Sequence, residues 1–288
     1  MKDYQPKIYL LPNLMTAGNL FCGFIAIVMV FRGMQAPDFD HSYYHAAIGL
    51  ILGACVFDLL DGRVARMSNQ ISPFGREFDS LADLVSFGIA PSLLVYDIVL
   101  DGLSDRIGWM IAFAYVLAGA MRLARFNVVS EARGGHANGD FTGLPIPVAA
   151  GVIASLTLFL LWLDEGSREI GRWKYVLPLL MLLLAYLMAS TIRYPSFKAI
   201  TWRTRRTMPM VVGSILVLVM TVINWEWMPA ILFVAYMIYG IARPMVSRRW
   251  RAEIEQEDYT PTESELRNEA TKMAEQASKG ADTQSDSA

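Results

Sequence analysis

A chain of 288 residues that is 54% hydrophobic, with a mean hydropathy of +0.35, is too apolar for a water-soluble domain of its size. Its apolar runs recur at close to the ~20 residues needed to cross a bilayer, which indicates a polytopic α-helical membrane protein. The net charge of -2 excludes little, because charge is segregated by loop, and it gives no reason to expect a nucleic-acid partner. Cys22 and Cys55 lie far apart in apolar segments with no metal-ligand pattern, so they read as small core residues.

In chain order, about eight spans are predicted: 11–31, 43–65, 81–100, 107–125, 145–163, 175–192, 209–224 and 228–246. Lys2 and Lys7 precede the first, but the apolar run continues to Val30 without a small-residue cleavage site, so it is expected to stay. The second has a short apolar part, AAIGLILGACVF, and is expected to continue past Asp58 into the aqueous interface. The last two are short and joined by Asn224-Trp225-Glu226-Trp227, whose tryptophans suit the headgroup belt. Residues 1–250 thus form a membrane domain. From about residue 252 the chain turns polar, and 251–288 is expected to be a solvated tail dispensable for chemistry, with Thr262 and Glu265 able to cap one short helix.

Lysine and arginine concentrate at the N-terminus, in the second, fourth and sixth connections and after the eighth span. By the positive-inside rule both termini, and the aspartates that follow, face the cytoplasm.

Those aspartates are the chain's most unusual feature. Residues 57–83, FDLLDGRVARMSNQISPFGREFDSLAD, place Asp58, Asp61, Asp79 and Asp83 between two apolar segments. On helices, spacings of three and four residues put each pair on one face. Ser72-Pro73 supplies an N-cap and a first-turn proline for the second helix. The expected unit is a helical hairpin that gathers four carboxylates near the membrane surface. Uncompensated, they could not all stay ionised, whereas Mg²⁺ or Mn²⁺ would suit such oxygen ligands. Two ions bridged by carboxylates would form a clamp for phosphoryl transfer. A salt-bridge network with Arg63, Arg66 and Arg76 is the structural alternative, but it would not require this alignment of carboxylates. Gly62 and Gly75 mark places where a flat group such as a nucleobase could lie against a helix, or where helices simply pack; Ala65 reads the same way.

Asp58-x2-Asp61-Gly62-x2-Ala65-Arg66-x8-Gly75-x3-Asp79-x3-Asp83 resembles the complete signature of the CDP-alcohol phosphatidyltransferases, with no departure at its eight specified positions. The resemblance implies a bundle of membrane helices, usually a homodimer, in which an alcohol displaces CMP from a CDP-linked substrate with two divalent metal ions. PNLMTAGNLFCGF (12–24), DSLADLVSFGIAPS (79–92), MRLARFNV (121–128), FTGLPIPVAA (141–150) and YPSFK (194–198) further resemble bacterial phosphatidylserine synthases of the integral-membrane type, over roughly residues 10–200. Spans seven and eight fall outside that stretch.

The implied substrates are CDP-diacylglycerol and L-serine, in a bacterial inner membrane that also supplies lipid contacts. Asp58, Asp61, Asp79 and Asp83 would hold the metals, and Asp83 would be the general base. Gly62, Ala65, Arg66 and Gly75 would border the nucleotide, and Asn13 and Thr16 would reach the diphosphate or simply bond between helices. Arg122 and Arg125 are the candidates for the serine carboxylate, although cytoplasmic helix ends carry arginines for topological reasons alone. The loop 131–143 is a possible lid, and Arg193, Lys198, Arg203, Arg205 and Arg206 could attract anionic lipid. Alternatives are the same chemistry on glycerol 3-phosphate, inositol phosphate or choline, and, from another class, a divalent-ion transporter. Transport would call for acidic residues deep in several spans.

Overall fold

The computed structural model describes residues 10–37, 40–67, 72–100, 105–132, 141–165, 175–194 and 207–242. The apolar runs fold as helices α1 (Leu10–Gln35), α2 (His41–Met67), α3 (Pro73–Leu100), α4 (Asp105–Ala132), α5 (Ile146–Glu165), α6 (Val176–Ala189), α7 (Thr207–Ile223) and α8 (Met228–Ala242). Among the described residues, the first five are long and apolar enough to cross a membrane. The chain is a multi-pass membrane helix bundle, as its composition predicts. The tail beyond residue 250 and the basic residues from Lys198 to Arg206 lie outside the described residues.

α1 and α2 form a helical hairpin with the most extensive helix–helix contact in the bundle. Asp40 begins α2 by accepting the backbone N–H of Ser42 at 2.9 Å. That bond, with help from the Ser42 side chain, holds the Asp40 carboxyl below the usual carboxylate range. The buried centre is built from α1 through α6, with Ile48, Ile51, Phe87, Leu94, Tyr115, Ile153 and Leu158 fully buried. In α5, Ser155 and Thr157 donate to the carbonyls of Val152 and Ile153, so buried hydroxyls are satisfied within their own helix. Phe21, Phe24, Trp109, Phe113, Leu218 and Val222 point outward. Such a surface is costly in water and ordinary against lipid.

α3 starts at Pro73, where the Ser72-Pro73 cap predicts, eight residues before its apolar span begins at residue 81. Ser72 Oγ accepts the Gly75 N–H at 3.0 Å and Pro73 occupies the first turn, so the helix is nucleated in its polar part. Within it the backbone widens into π-helical turns at Leu84–Ile89 and Tyr96–Leu100. The first has a cause in the sequence. Pro91 has no N–H to give to the carbonyl of Phe87, four residues back, and its ring crowds that carbonyl. Ala90 instead donates to Val85, five residues back. The carbonyl of Phe87 takes the hydroxyl of Tyr115 on α4 at 3.0 Å. The π turn therefore begins directly after Asp83 and is held from outside.

α6 ends at Ala189, three residues before the predicted boundary, because Ser190 is extended and its hydroxyl folds back on the Leu187 carbonyl at 2.7 Å. At 14 residues it is about 21 Å long, short of the ~30 Å hydrocarbon core. The chain then pairs as strand β2 (Arg193–Tyr194) with β1 (Phe141–Thr142), antiparallel, Phe141 opposite Tyr194. Arg125 fills the corner: it donates to the carbonyls of Ala189, Ser190 and Met188 at 3.2, 3.0 and 3.4 Å, closing the end of α6.

Gly143 sits in the same corner at φ +81, where a side chain's Cβ would stand 2.5 Å from the Met188 carbonyl and 2.9 Å from Arg125 Nη2. Gly143→Ala is expected to destabilise the protein by about 1–3 kcal/mol, read as a lower melting temperature in detergent. An unchanged melting temperature would show that the corner is not under this constraint.

Candidate metal centre and active site

α2 and α3 bring Asp58, Asp61 and Asp79 together, while Asp83 stands in electrostatic contact with them but outside that close group. One carboxylate oxygen each from Asp58, Asp61 and Asp79 lies within 4.8 Å of the others. At that separation two ionised carboxylates repel by about 3 kcal/mol at an effective dielectric of ~20. Asp61 and Asp83 are buried, and Asp79 Oδ1 is buried without a hydrogen-bond partner among the described residues. Among the described residues, the cation in electrostatic contact with the group, through Asp83 and Asp58, is Arg122 on α4, itself buried. Among the described residues, that one guanidinium does not balance four carboxylates. A hard divalent cation fits this donor set: it supplies the missing charge and takes the unpartnered oxygen.

α1 lines the other side of the cluster. Thr16 Oγ1 donates to Asp61 Oδ2 at 3.3 Å, and Asn19 Nδ2 donates to Asp83 Oδ1 at 3.0 Å. Asn13 stands over Gly75, whose added Cβ would meet Asn13 Oδ1 at 3.2 Å, and Asn13 Nδ2 is a buried donor with no partner among the described residues. Asn13, Thr16 and Asn19 recur every three residues and so share one face of α1. Only the first two are predicted from sequence. Asn19 continues the same spacing, the signal by which it could have been found.

Asp83 is fixed from several directions. Besides Asn19, the π turn after it carries Ser86, whose hydroxyl donates to the Asn19 carbonyl at 2.9 Å. Gly23 permits this approach, since a Cβ there would lie 2.6 Å from the Ser86 Cα. On the far side, Asn127 of α4 donates to Ser80 Oγ at 3.0 Å and to Glu77 at 3.3 Å, tying α4 to the helix of Asp79 and Asp83.

The remaining predicted residues divide. Gly62 follows Asp61 on α2, half-buried. Ala65 and Arg66 continue the same helix, and their side chains lie outside the described residues, as do residues 133–140 of the supposed lid. The two arginines of α4 part company: Arg125 is engaged by three carbonyls at the end of α6, whereas Arg122 faces the aspartates with its Nε buried and unpartnered among the described residues.

The family model for CDP-alcohol phosphatidyltransferase matches residues 9–191, which takes in α1 through α6. A CDP-diacylglycerol–serine O-phosphatidyltransferase of Helicobacter pylori is 36% identical over 237 residues, 82% of this chain and 91% of that protein. One of Bacillus subtilis is 35% identical over 190 residues, covering 65% and 91%. An archaetidylserine synthase of Methanothermobacter thermautotrophicus is 37% identical over 187 residues, covering 64% and 69%.

Proposed function

The chain belongs to the CDP-alcohol phosphatidyltransferase family, and from that premise we propose that it transfers the phosphatidyl group of CDP-diacylglycerol to L-serine, releasing CMP. The observation that carries the reading is the convergence of three carboxylate oxygens within 4.8 Å beside the anchored Asp83 and the buried Arg122. The names of the relatives support serine as the acceptor.

Asp58, Asp61, Asp79 and Asp83 would hold two divalent ions, Mg²⁺ or Mn²⁺. When bound, these neutralise the diphosphate and the charge developing on departing CMP. Asn13 offers its buried amide donor, unpartnered among the described residues, to the diphosphate, with Thr16 beside it on α1. The nucleotide lies along Gly62, Ala65, Arg66 and Gly75. Asn19 occupies Oδ1 of Asp83, so its other oxygen receives the proton of the serine hydroxyl. The serine oxygen attacks the phosphatidyl phosphorus in line, the bond from that phosphorus to the bridging oxygen breaks, and CMP leaves with no covalent enzyme intermediate. Arg122 holds the serine carboxylate. The active site and both termini face the cytoplasm of a bacterial inner membrane, consistent with the loop charges, and the family resemblance implies a homodimer.

The test is purified protein given CDP-diacylglycerol, Mn²⁺ or Mg²⁺ and radiolabelled serine, with competing alcohols alongside. Label is expected in phosphatidylserine, with CMP released in equal amount only when serine is present. Serine-independent CMP release, or preference for glycerol 3-phosphate, inositol phosphate or choline, would sink the serine assignment.

A further inference from the structure

Asn19 has 0% relative exposure. An ionised Asp83 carboxylate can only accept, so the amide must turn its NH₂ toward Asp83, and its oxygen is left facing elsewhere. That oxygen is buried and has no donor among the described residues. A buried amide oxygen without a donor is unfavourable and fits a place where a ligand supplies one. In electrostatic contact with Asp83 is the opposite case: Arg122, 7% exposed, with a buried Nε that finds no acceptor among the described residues. One residue with a buried unmet acceptor is bonded to Asp83, and one with a buried unmet donor is in electrostatic contact with it.

A small zwitterionic alcohol satisfies both. In serine the hydroxyl and the ammonium sit on adjacent carbons, so the group that receives the ammonium must adjoin the one that takes the hydroxyl proton. Asn19 is in direct contact with Asp83. A neutral amide also suits the position better than a carboxylate, which would add another anion to the cluster and another hard ligand for the metal.

We infer that Asn19 is a specificity residue of the acceptor subsite: its Oδ1 accepts the serine ammonium, while its Nδ2 orients Asp83. This rests on the serine-transfer reading and deepens it. With a metal and CDP-diacylglycerol supplied, Asn19→Ala is expected to raise KM for L-serine by about ten- to a hundredfold. The KM for CDP-diacylglycerol should stay within about twofold. The variant should also lose the parent's preference for serine over β-hydroxypropionate, which is serine without its ammonium, measured as competitive inhibitors. The isosteric Asn19→Asp keeps the acceptor but places a like charge beside Asp83, so kcat falls while KM for serine does not rise.

A parental serine preference in Asn19→Ala overturns the inference. If that variant does not accumulate folded, a tenfold rise in serine KM in Asn19→Asp overturns it equally. A parent protein that does not use serine at all removes the reading beneath, and the inference with it; a serine-using parent with indifferent Asn19 variants removes the inference alone.

Discussion

Asp83→Asn is expected to lower turnover by about 10²–10⁴-fold while leaving binding of the nucleotide substrate largely intact. The substitution is isosteric, and the new amide can still present an oxygen to Asn19 Nδ2, which now reaches Asp83 Oδ1 at 3.0 Å. The Ser86 and Tyr115 bonds that fix the following π turn do not involve the Asp83 side chain. What is lost is a group able to take the hydroxyl proton, next to a site whose other carboxylates are committed to one another within 4.8 Å. CMP release under saturating substrates, paired with calorimetric titration of the nucleotide, separates the two effects. Turnover near the parent rate would remove Asp83 from the role of base.

The second large effect concerns the cation. Chelation is expected to stop the reaction, and added Mn²⁺ or Mg²⁺ to restore it. Asp79→Asn should cut activity by about 10²-fold or more and shift half-saturation to higher metal concentration, because it replaces the carboxylate whose buried oxygen has no protein partner among the described residues. Asp97→Asn is the matching control. Asp97 lies on the same helix as Asp79 but is bonded to the Tyr44 hydroxyl, 2.5 Å away. Its loss should lower thermal stability and leave the metal requirement where it was. A metal requirement that moved equally in both variants would mean that the aspartates act through general stability rather than as ligands.

Much of this centre could be read directly from residues. The spacing of Asp58 with Asp61 and of Asp79 with Asp83, the Ser72 cap and Pro73 are local features, and local geometry decides them. Features that depend on distant partners were hidden. Pro91 in α3 announces a disturbed helix, but that a π turn results depends on Tyr115, 28 positions from Phe87, taking the orphaned carbonyl. Arg122 and Arg125 look alike in sequence; their division of labour is set by where α6 ends, 64 positions after Arg125. The cap and proline mark the start of α3 in its polar part, whereas its apolar run alone begins only near residue 81. Asn19 lies inside an apolar run, where a single amide reads as helix-to-helix glue until its partner is seen to be Asp83.

The most direct test of the central claim, that the aspartate cluster is a metal site on which the transfer depends, is Mn²⁺ binding to the purified protein followed by electron paramagnetic resonance. The parent is expected to bind Mn²⁺, with affinity weakened alike in Asp58→Asn, Asp61→Asn and Asp79→Asn and unchanged in Asp97→Asn. Parental affinity in all three cluster variants, or a protein that releases CMP at full rate with no metal bound, would contradict it.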